Sequence, residues 1–139
     1  MSARIRIHEQ NGAFVRIRDT MPAAFALHMS DAQLDSSVRV HEAGDGGGLA
    51  LTENCYLPNT LIEPHAHSDD EIIYVVDGEL VLGARVLGAG ASLYVAGGTL
   101  YGFSAGAVGA RILVFRPAKG DYISKQSYLE ARARARRSD

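Results

Sequence analysis

The stretch His65-Ala66-His67-Ser68-Asp69-Asp70-Glu71, followed by Asp77-Gly78, decides the fold and the chemistry that we predict for this chain. His65 and His67 lie two residues apart on a predicted strand, so both imidazoles leave the same face. Glu71 precedes an apolar run over residues 72–76, which predicts the next strand. A short bend between the two strands can therefore direct two imidazoles and one carboxylate at a single metal ion. Such a set leaves coordination positions open for water, oxygen or substrate.

Length and composition limit the class of protein. A chain of 139 residues with 47% hydrophobic and 22% charged residues is typical of one globular domain. The net charge of −2 gives no reason to expect a nucleic-acid partner. The single cysteine, Cys55, excludes an internal disulfide and suits a reducing compartment. Because we find neither a signal-peptide pattern nor an apolar stretch of roughly 20 residues, we expect a cytoplasmic protein without a membrane partner.

Most of the chain is predicted to be β-strand. Fifteen glycines against four prolines, among short alternating apolar runs, predict many tight turns. Asp77-Gly78 is typical of a two-residue hairpin turn. About ten strands with short connections favour a closed barrel or jelly roll, because such folds leave few unpaired strand edges. The predicted strands cover residues 13–18, 37–41, 49–57, 61–67, 71–76, 79–82, 85–87, 92–95, 100–103 and 110–115.

Helix is predicted in two places. Residues 122–137 are rich in Ala, Arg, Leu and Glu, with Asp121 as a candidate N-cap. Ser30 is a candidate cap for one helical turn. We divide the single domain into three segments: N-terminal strands with an irregular segment that packs on the barrel, the barrel core, and the C-terminal helix with its basic tail. These segments cover residues 1–36, 37–117 and 118–139.

The spacing of residues in the central stretch matches a motif of a known family. Five residues separate Asn59 from His65, which is followed two positions later by His67. Three residues then precede Glu71, and six more precede Gly78. The first cupin motif has a glycine, five residues, His-x-His, three or four residues, Glu, six residues and a glycine. The chain therefore resembles a small single-domain cupin of the RmlC-like superfamily. Asn at the first position is a mild change, because Asn tolerates a left-handed backbone.

The second cupin motif is altered in this chain. The family has glycine, five residues, proline, one residue, glycine, two residues and histidine. Gly90 and Gly98 match, whereas Ala96 stands in place of the proline and Tyr101 in place of the third metal-binding histidine. The resemblance covers residues 37–117. It implies an all-β, cupin-type double-stranded β-helix, or jelly-roll barrel, with the short C-terminal α-helix added.

The resemblance also implies a metal site. Carried over residue by residue, it makes His65, His67 and Glu71 ligands of one divalent transition metal ion. Iron, manganese, nickel, zinc and copper all accept imidazole and carboxylate, so the ligand set does not name the metal. Tyr101 has three possible roles: a phenolate ligand, a proton donor or base beside the metal, or a ring that fills the barrel mouth.

Glu63 is a second candidate catalytic residue. It shares strand parity with His65 and His67, so its side chain is expected to point inward. A buried carboxylate there would orient an imidazole or act as a base. Exposure near the barrel rim is the alternative, because Pro64 interrupts the regular strand.

The leading functional hypothesis is a metal-dependent enzyme that acts on a small-molecule substrate. The metal would polarise a substrate oxygen or activate water or dioxygen, while Tyr101 and Glu63 move a proton. Iron would suit an oxygenase, and other metals suit a lyase or isomerase. The alternative is a non-catalytic cupin module that binds or senses a small molecule.

A homodimer is also expected. Residues 72–76 are apolar at both strand parities, so both faces of this strand need to be covered. One face lines the barrel, and the other meets a second sheet or a second subunit. Small cupins commonly pair in this way, so the resemblance favours a second copy of the chain.

Overall fold

The structure of the protein, a computed structural model, describes residues 4–10 and 12–138. These residues form nine strands and four helices. The strands are β1 (Val15–Arg16), β2 (Ser37–Glu42), β3 (Leu49–Tyr56), β4 (Leu61–Ala66), β5 (Glu71–Leu82), β6 (Arg85–Gly88), β7 (Ser92–Val95), β8 (Tyr101–Pro117) and β9 (Ile123–Ser124). The helices are α1 (Ile17–Thr20), α2 (Ala23–Ala26), α3 (Asp31–Asp35) and α4 (Lys125–Arg137).

Strand β8 connects the whole sheet. The strands follow the order β1-β2-β3-β8-β4-β9, and β5 pairs with β6, β7 and β8. Every pair is antiparallel. Because β8 is 17 residues long, one of its edges pairs first with β4 and then with β3, while the other edge follows β5. This arrangement confirms the predicted all-β jelly roll with a short C-terminal helix.

The predicted hairpin at Asp77-Gly78 is wrong, because β5 continues through it to Leu82. The register against β8 shifts on both sides of these residues, which is the mark of a β-bulge. Gly78 has a φ of +76°, and a Cβ there would lie 2.2 Å from the carbonyl oxygen of Gly109. Pairing with a long neighbouring strand has therefore overridden the local preference for a turn.

Strand β8 likewise joins two predicted strands, residues 100–103 and 110–115, into one. The small residues between them stay in the ladder, where Ala105 pairs with Leu80. At the other end of the chain, the predicted strand over residues 13–18 shortens to β1. Helix α1 follows at once, and Ile17 turns into the core.

The helix caps agree with the sequence in one case and not in the other. The Ser30 side chain accepts a hydrogen bond from the Gln33 amide at 3.1 Å, so the predicted cap of α3 is confirmed. Helix α4 begins at Lys125 with Ser124 as its N-cap, three residues later than the predicted start at Tyr122. In the described parts of the chain, no helix has the length and apolar character needed to cross a bilayer.

The core lies inside the barrel and consists of alternating apolar side chains from the central strands. The most deeply buried large side chains, each at most 2% exposed, are Ile62, Ile73, Val75, Leu80 and Ile112. Burial of side chains of this size contributes about 1.5–3 kcal/mol each. This core fills one part of the barrel interior and leaves a cavity beside it.

The outer face of β3 carries a buried carboxylate. Glu53 is 2% exposed and accepts hydrogen bonds from Arg39 at 3.0 Å, His41 at 2.7 Å and Arg111 at 2.9 Å. Burial by itself would raise the pKa of Glu53, but the three hydrogen bonds outweigh it and lower this pKa to about 2. Glu53 therefore links β2, β3 and β8 on the face opposite the cavity.

We predict that Glu53→Gln destabilises the protein by about 2–3 kcal/mol at pH 7, because two arginines lose their buried anionic partner. The pKa of Glu53 in the folded state, about 2, is below the ordinary value of 4.5. Its contribution is therefore complete above about pH 4.5 and disappears as the pH falls toward 2. Urea unfolding at a series of pH values measures this. The exposed carboxylate variant Glu79→Gln is the control, and an equal, pH-independent loss in both variants would contradict the prediction.

Candidate functional site

A cavity of about 570 Å³ lies inside the barrel. Its apolar wall comes from the strands and from the segment around α1 and α2, and includes Ile17, Met21, Phe25, Met29, Val38, Ile62, Ile73, Phe103, Ile112 and Val114. Five polar side chains that contact one another also line it. We call these five the polar cluster: His65, His67, Glu71, Tyr101 and Arg116. A cavity of this size and lining is typical of a small-molecule site.

His65 is placed by strand pairing. It lies on β4, opposite Tyr101 of β8 and Ser124 of β9. Its Nδ1 lies 2.9 Å from the carbonyl oxygen of Glu63, and because a carbonyl can only accept, Nδ1 carries the proton. Burial lowers the pKa of His65 to about 4, so the imidazole is neutral near pH 7. Its Nε2 therefore has a free lone pair.

His67 follows β4 directly and is held in the same way. Its Nδ1 donates to the carbonyl oxygen of Asp121, and its Nε2 lies 2.8 Å from Nη1 of Arg116. Burial, and then the positive charge of Arg116, lower the pKa of His67. The Asp121 carboxylate accepts from the Ser68 amide at 2.7 Å and from the Ser68 hydroxyl, which fixes the C-terminal segment beside the bend.

Glu71 and Tyr101 form the other half of the polar cluster. Glu71 is 3% exposed, and its Oε1 accepts a hydrogen bond from the Tyr101 hydroxyl. Nη1 of Arg116 lies 3.4 Å from Oε2 of the same carboxylate. Burial and the negative charge of Glu71 raise the pKa of Tyr101 above the ordinary range. The structure therefore presents Tyr101 as a protonated phenol beside a carboxylate.

Glu63 does not join the polar cluster, so the expected inward direction of its side chain is wrong. The side chain is exposed and does not line the cavity. The register of β4 against β8 shifts between Ile62 and His65, at Pro64, and this bulge breaks the alternation on which the expectation rested. Only the main-chain carbonyl of Glu63 serves the site, through His65.

Two residues of the site were missed by sequence reasoning. Ile112, Val114 and Arg116 alternate along β8 and all line the cavity. The predicted last strand ends at residue 115, so it does not include Arg116, whereas a strand that ended at Pro117 would include it. The Tyr122 ring stacks on His65 with centroids 5.1 Å apart and planes 14° apart. No sequence pattern points to Tyr122, because the predicted C-terminal helix includes it, whereas in the structure it precedes β9.

The donor set fits a transition metal in its chemistry. Each imidazole is oriented through Nδ1 by a main-chain carbonyl, which is how metal-bound histidines are usually held. Glu71 supplies a carboxylate from β5, the next strand along the chain. Within residues 4–10 and 12–138, no three His, Cys, Asp or Glu side chains are grouped closely enough to enclose an ion. Nη1 of Arg116 is the cationic partner of His67 and Glu71 in the structure.

Comparison with known proteins finds similarity at the level of structure. No family model matches the chain, and neither does any curated protein. The polyketide cyclase RemF from Streptomyces resistomycificus aligns with a TM-score of 0.54 and 27% identity, covering 67% of this chain and 75% of that one. An RmlC-like cupin from Shewanella frigidimarina aligns with a TM-score of 0.58 and 17% identity, covering 84% and 92%.

A third similar structure is an oxalate decarboxylase from Bacillus subtilis with Mn(II) centres. It aligns with a TM-score of 0.55 and 19% identity, covering 68% of this chain and 29% of that one. Strand order, cavity and similar structures together define an antiparallel jelly-roll barrel with an internal site. Within that class the chain has the fold of RmlC-like cupins, the fold that the resemblance in the first motif implies.

Proposed function

We propose that the protein is a metal-dependent cupin enzyme that transfers a proton on an apolar small-molecule substrate, as a cyclase, lyase or isomerase does. One observation carries this proposal: His65, His67, Glu71 and Tyr101 meet at one cavity of about 570 Å³. The similarity to a polyketide cyclase and to a decarboxylase supports the enzymatic class.

His65, His67 and Glu71 would hold the metal, and iron, manganese, nickel, zinc and copper all suit these donors. Manganese centres in the similar oxalate decarboxylase support a metal in this fold. When bound, such an ion polarises a substrate oxygen or lowers the pKa of a bound water. The carbonyls of Glu63 and Asp121 keep both imidazoles in the tautomer in which Nε2 carries no proton.

Of the three roles considered for Tyr101, the geometry favours proton transfer. In the structure the Tyr101 hydroxyl donates a hydrogen bond to Glu71 Oε1, which a protonated phenol can do and a phenolate cannot. A protonated phenol that lines the cavity can donate its proton to substrate, with Glu71 accepting the hydrogen bond that orients it. In this proposal Tyr101 is the general acid, and Glu63 only positions His65 through its main-chain carbonyl.

A non-catalytic binding module is the second candidate, and one observation favours it. Arg116 bridges His67 and Glu71, so the polar cluster can be satisfied by hydrogen bonds alone. A barrel of this kind would bind a small molecule without a metal. The metal-binding experiment separates the two candidates.

We predict that the purified protein binds one Zn²⁺ per chain, and that His65→Ala and Glu71→Gln each weaken binding by about 100-fold or more. The estimate follows because loss of a hydrogen-bond partner behind a ligand alone costs about 10–100-fold. Isothermal titration calorimetry measures the affinity. His28→Ala, which changes a histidine outside the cavity, is the control. Absence of Zn²⁺, Mn²⁺, Ni²⁺ and Fe²⁺ binding by the unaltered protein would favour the non-catalytic module.

We predict that Tyr101→Phe weakens Zn²⁺ binding by about tenfold, because it removes only the hydrogen bond behind the ligand Glu71, whereas loss of a ligand costs about 100-fold or more. The same titration checks this, with Glu71→Gln as the matched variant that removes a ligand. A loss in Tyr101→Phe as large as that in Glu71→Gln would show instead that Tyr101 ligates the metal.

We also propose that a second copy of the chain covers an apolar patch on the outer sheet face. The patch consists of Ile72, Tyr74, Tyr94 and Phe115, which are 46%, 41%, 62% and 40% exposed. Ile72 pairs with Tyr94 of β7 and with Phe115 of β8, so the side chains are contiguous across three strands. An exposed contiguous apolar surface of this kind is typical of an interface between subunits.

We expect a solution mass of about twice the 14.9 kDa of one chain, and about one chain for Ile72→Lys, because a buried lysine would lack a partner. Light scattering behind a sizing column measures both. Val86→Lys, on β6 and 60% exposed, is the control that should keep the double mass. A single-chain mass for the unaltered protein would remove the proposed dimer.

A further inference from the structure

The cavity combines a large apolar volume with a single positive charge. Its wall carries aromatic rings, among them Phe25 and Tyr122 with centroids 5.5 Å apart, and Phe103. Of the described residues that line the cavity, Arg116 is the only arginine or lysine. Most of the surface that a ligand would contact is therefore apolar, and one guanidinium could bind an oppositely charged group.

The partners of Arg116 decide when this charge is available. In the structure Nη1 contacts His67 Nε2 at 2.8 Å and Glu71 Oε2 at 3.4 Å. Both are proposed metal ligands, and this step rests on the proposed function. Once Nε2 of His67 serves a metal, it can no longer accept from Arg116, so the guanidinium keeps only the longer contact with Glu71 and can turn to an anionic group. The Arg116 side chain is 38% exposed, so it can turn without disturbing the core.

We infer that the substrate is an apolar, ring-containing molecule that bears one anionic oxygen group, which Arg116 binds while the ring system contacts the aromatic wall. Arg116 is thus a specificity-determining residue. The apolar wall favours a ligand with apolar area to bury, because affinity from such walls grows with the area removed from water. A small anion without a ring would leave this wall wet and gain little beyond one ion pair.

Three probes of matched chemistry test the inference in the Zn²⁺-loaded protein. They are 2-naphthalenesulfonate, which has both ring and charge, 2-naphthol, which has the ring but is neutral at pH 7, and methanesulfonate, which has the charge alone. A sulfonate binds divalent metals weakly, so it reports mainly on Arg116. Calorimetry or quenching of probe fluorescence gives the affinities.

We expect 2-naphthalenesulfonate to bind at least about tenfold more tightly than methanesulfonate. Arg116→Gln should weaken 2-naphthalenesulfonate by about tenfold or more, because a charge-assisted hydrogen bond is lost. The same substitution should change 2-naphthol binding by less than about threefold, and Arg116→Lys should recover part of the lost affinity. Thermal unfolding of each variant verifies that it is folded.

Equal binding of methanesulfonate and 2-naphthalenesulfonate would overturn the apolar part of the inference. Equal effects of Arg116→Gln on 2-naphthalenesulfonate and 2-naphthol would overturn the role of Arg116. Failure of the proposed function shows separately, as the absence of Zn²⁺ binding in the titration without probes. In that case the Arg116→Gln comparison is made without metal: a loss of 2-naphthalenesulfonate affinity of about tenfold or more supports the role of Arg116, and an unchanged affinity overturns it.

Discussion

Two main-chain carbonyl groups, those of Glu63 and Asp121, set the direction of both imidazoles. Each accepts the Nδ1 proton of one histidine, so each ring is left with Nε2 as its acceptor. The two carbonyls come from distant parts of the chain, one from the bulged strand β4 and the other from the segment before β9. The chemistry of the site therefore depends on a backbone geometry that the whole barrel maintains.

Strand pairing then brings the remaining groups to the same place. Tyr101 lies opposite His65 because β8 pairs with β4, and Arg116 reaches the site from the far end of the same strand. Between these residues β8 follows β5, and the bulge at Gly78 permits close approach to Gly109. One long, bent strand thus supplies both the phenol and the guanidinium of the polar cluster.

The sequence predicted the fold and the spacing of the first motif, because both depend on local patterns. Alternating apolar residues located most strands, and the interval from His65 to Glu71 placed a bend between two of them. Features that depend on long-range pairing were not predictable in this way. Asp77-Gly78 has the local chemistry of a turn, yet pairing with β8 keeps it in a strand. Glu63 has the parity of His65, yet the bulge at Pro64 turns it outward, and Tyr122 enters the site only because β9 pairs with β4.

The cavity is lined partly by the N-terminal segment and partly by the strands of the barrel. Residues that would select the ligand are therefore separate from residues that would react with it. Met21, Phe25 and Met29 line the cavity from the short helices and loops that precede the barrel, and none of them belongs to a strand. The histidines, the carboxylate and the phenol come from strands or from the residue that follows one. Replacement of the N-terminal side chains can thus change which ligand fits the cavity while the reacting groups keep their positions. A barrel of this design can change which ligands it accepts through residues 17–29 alone, because a rigid scaffold carries the reacting groups and a separate segment of helices and loops covers them.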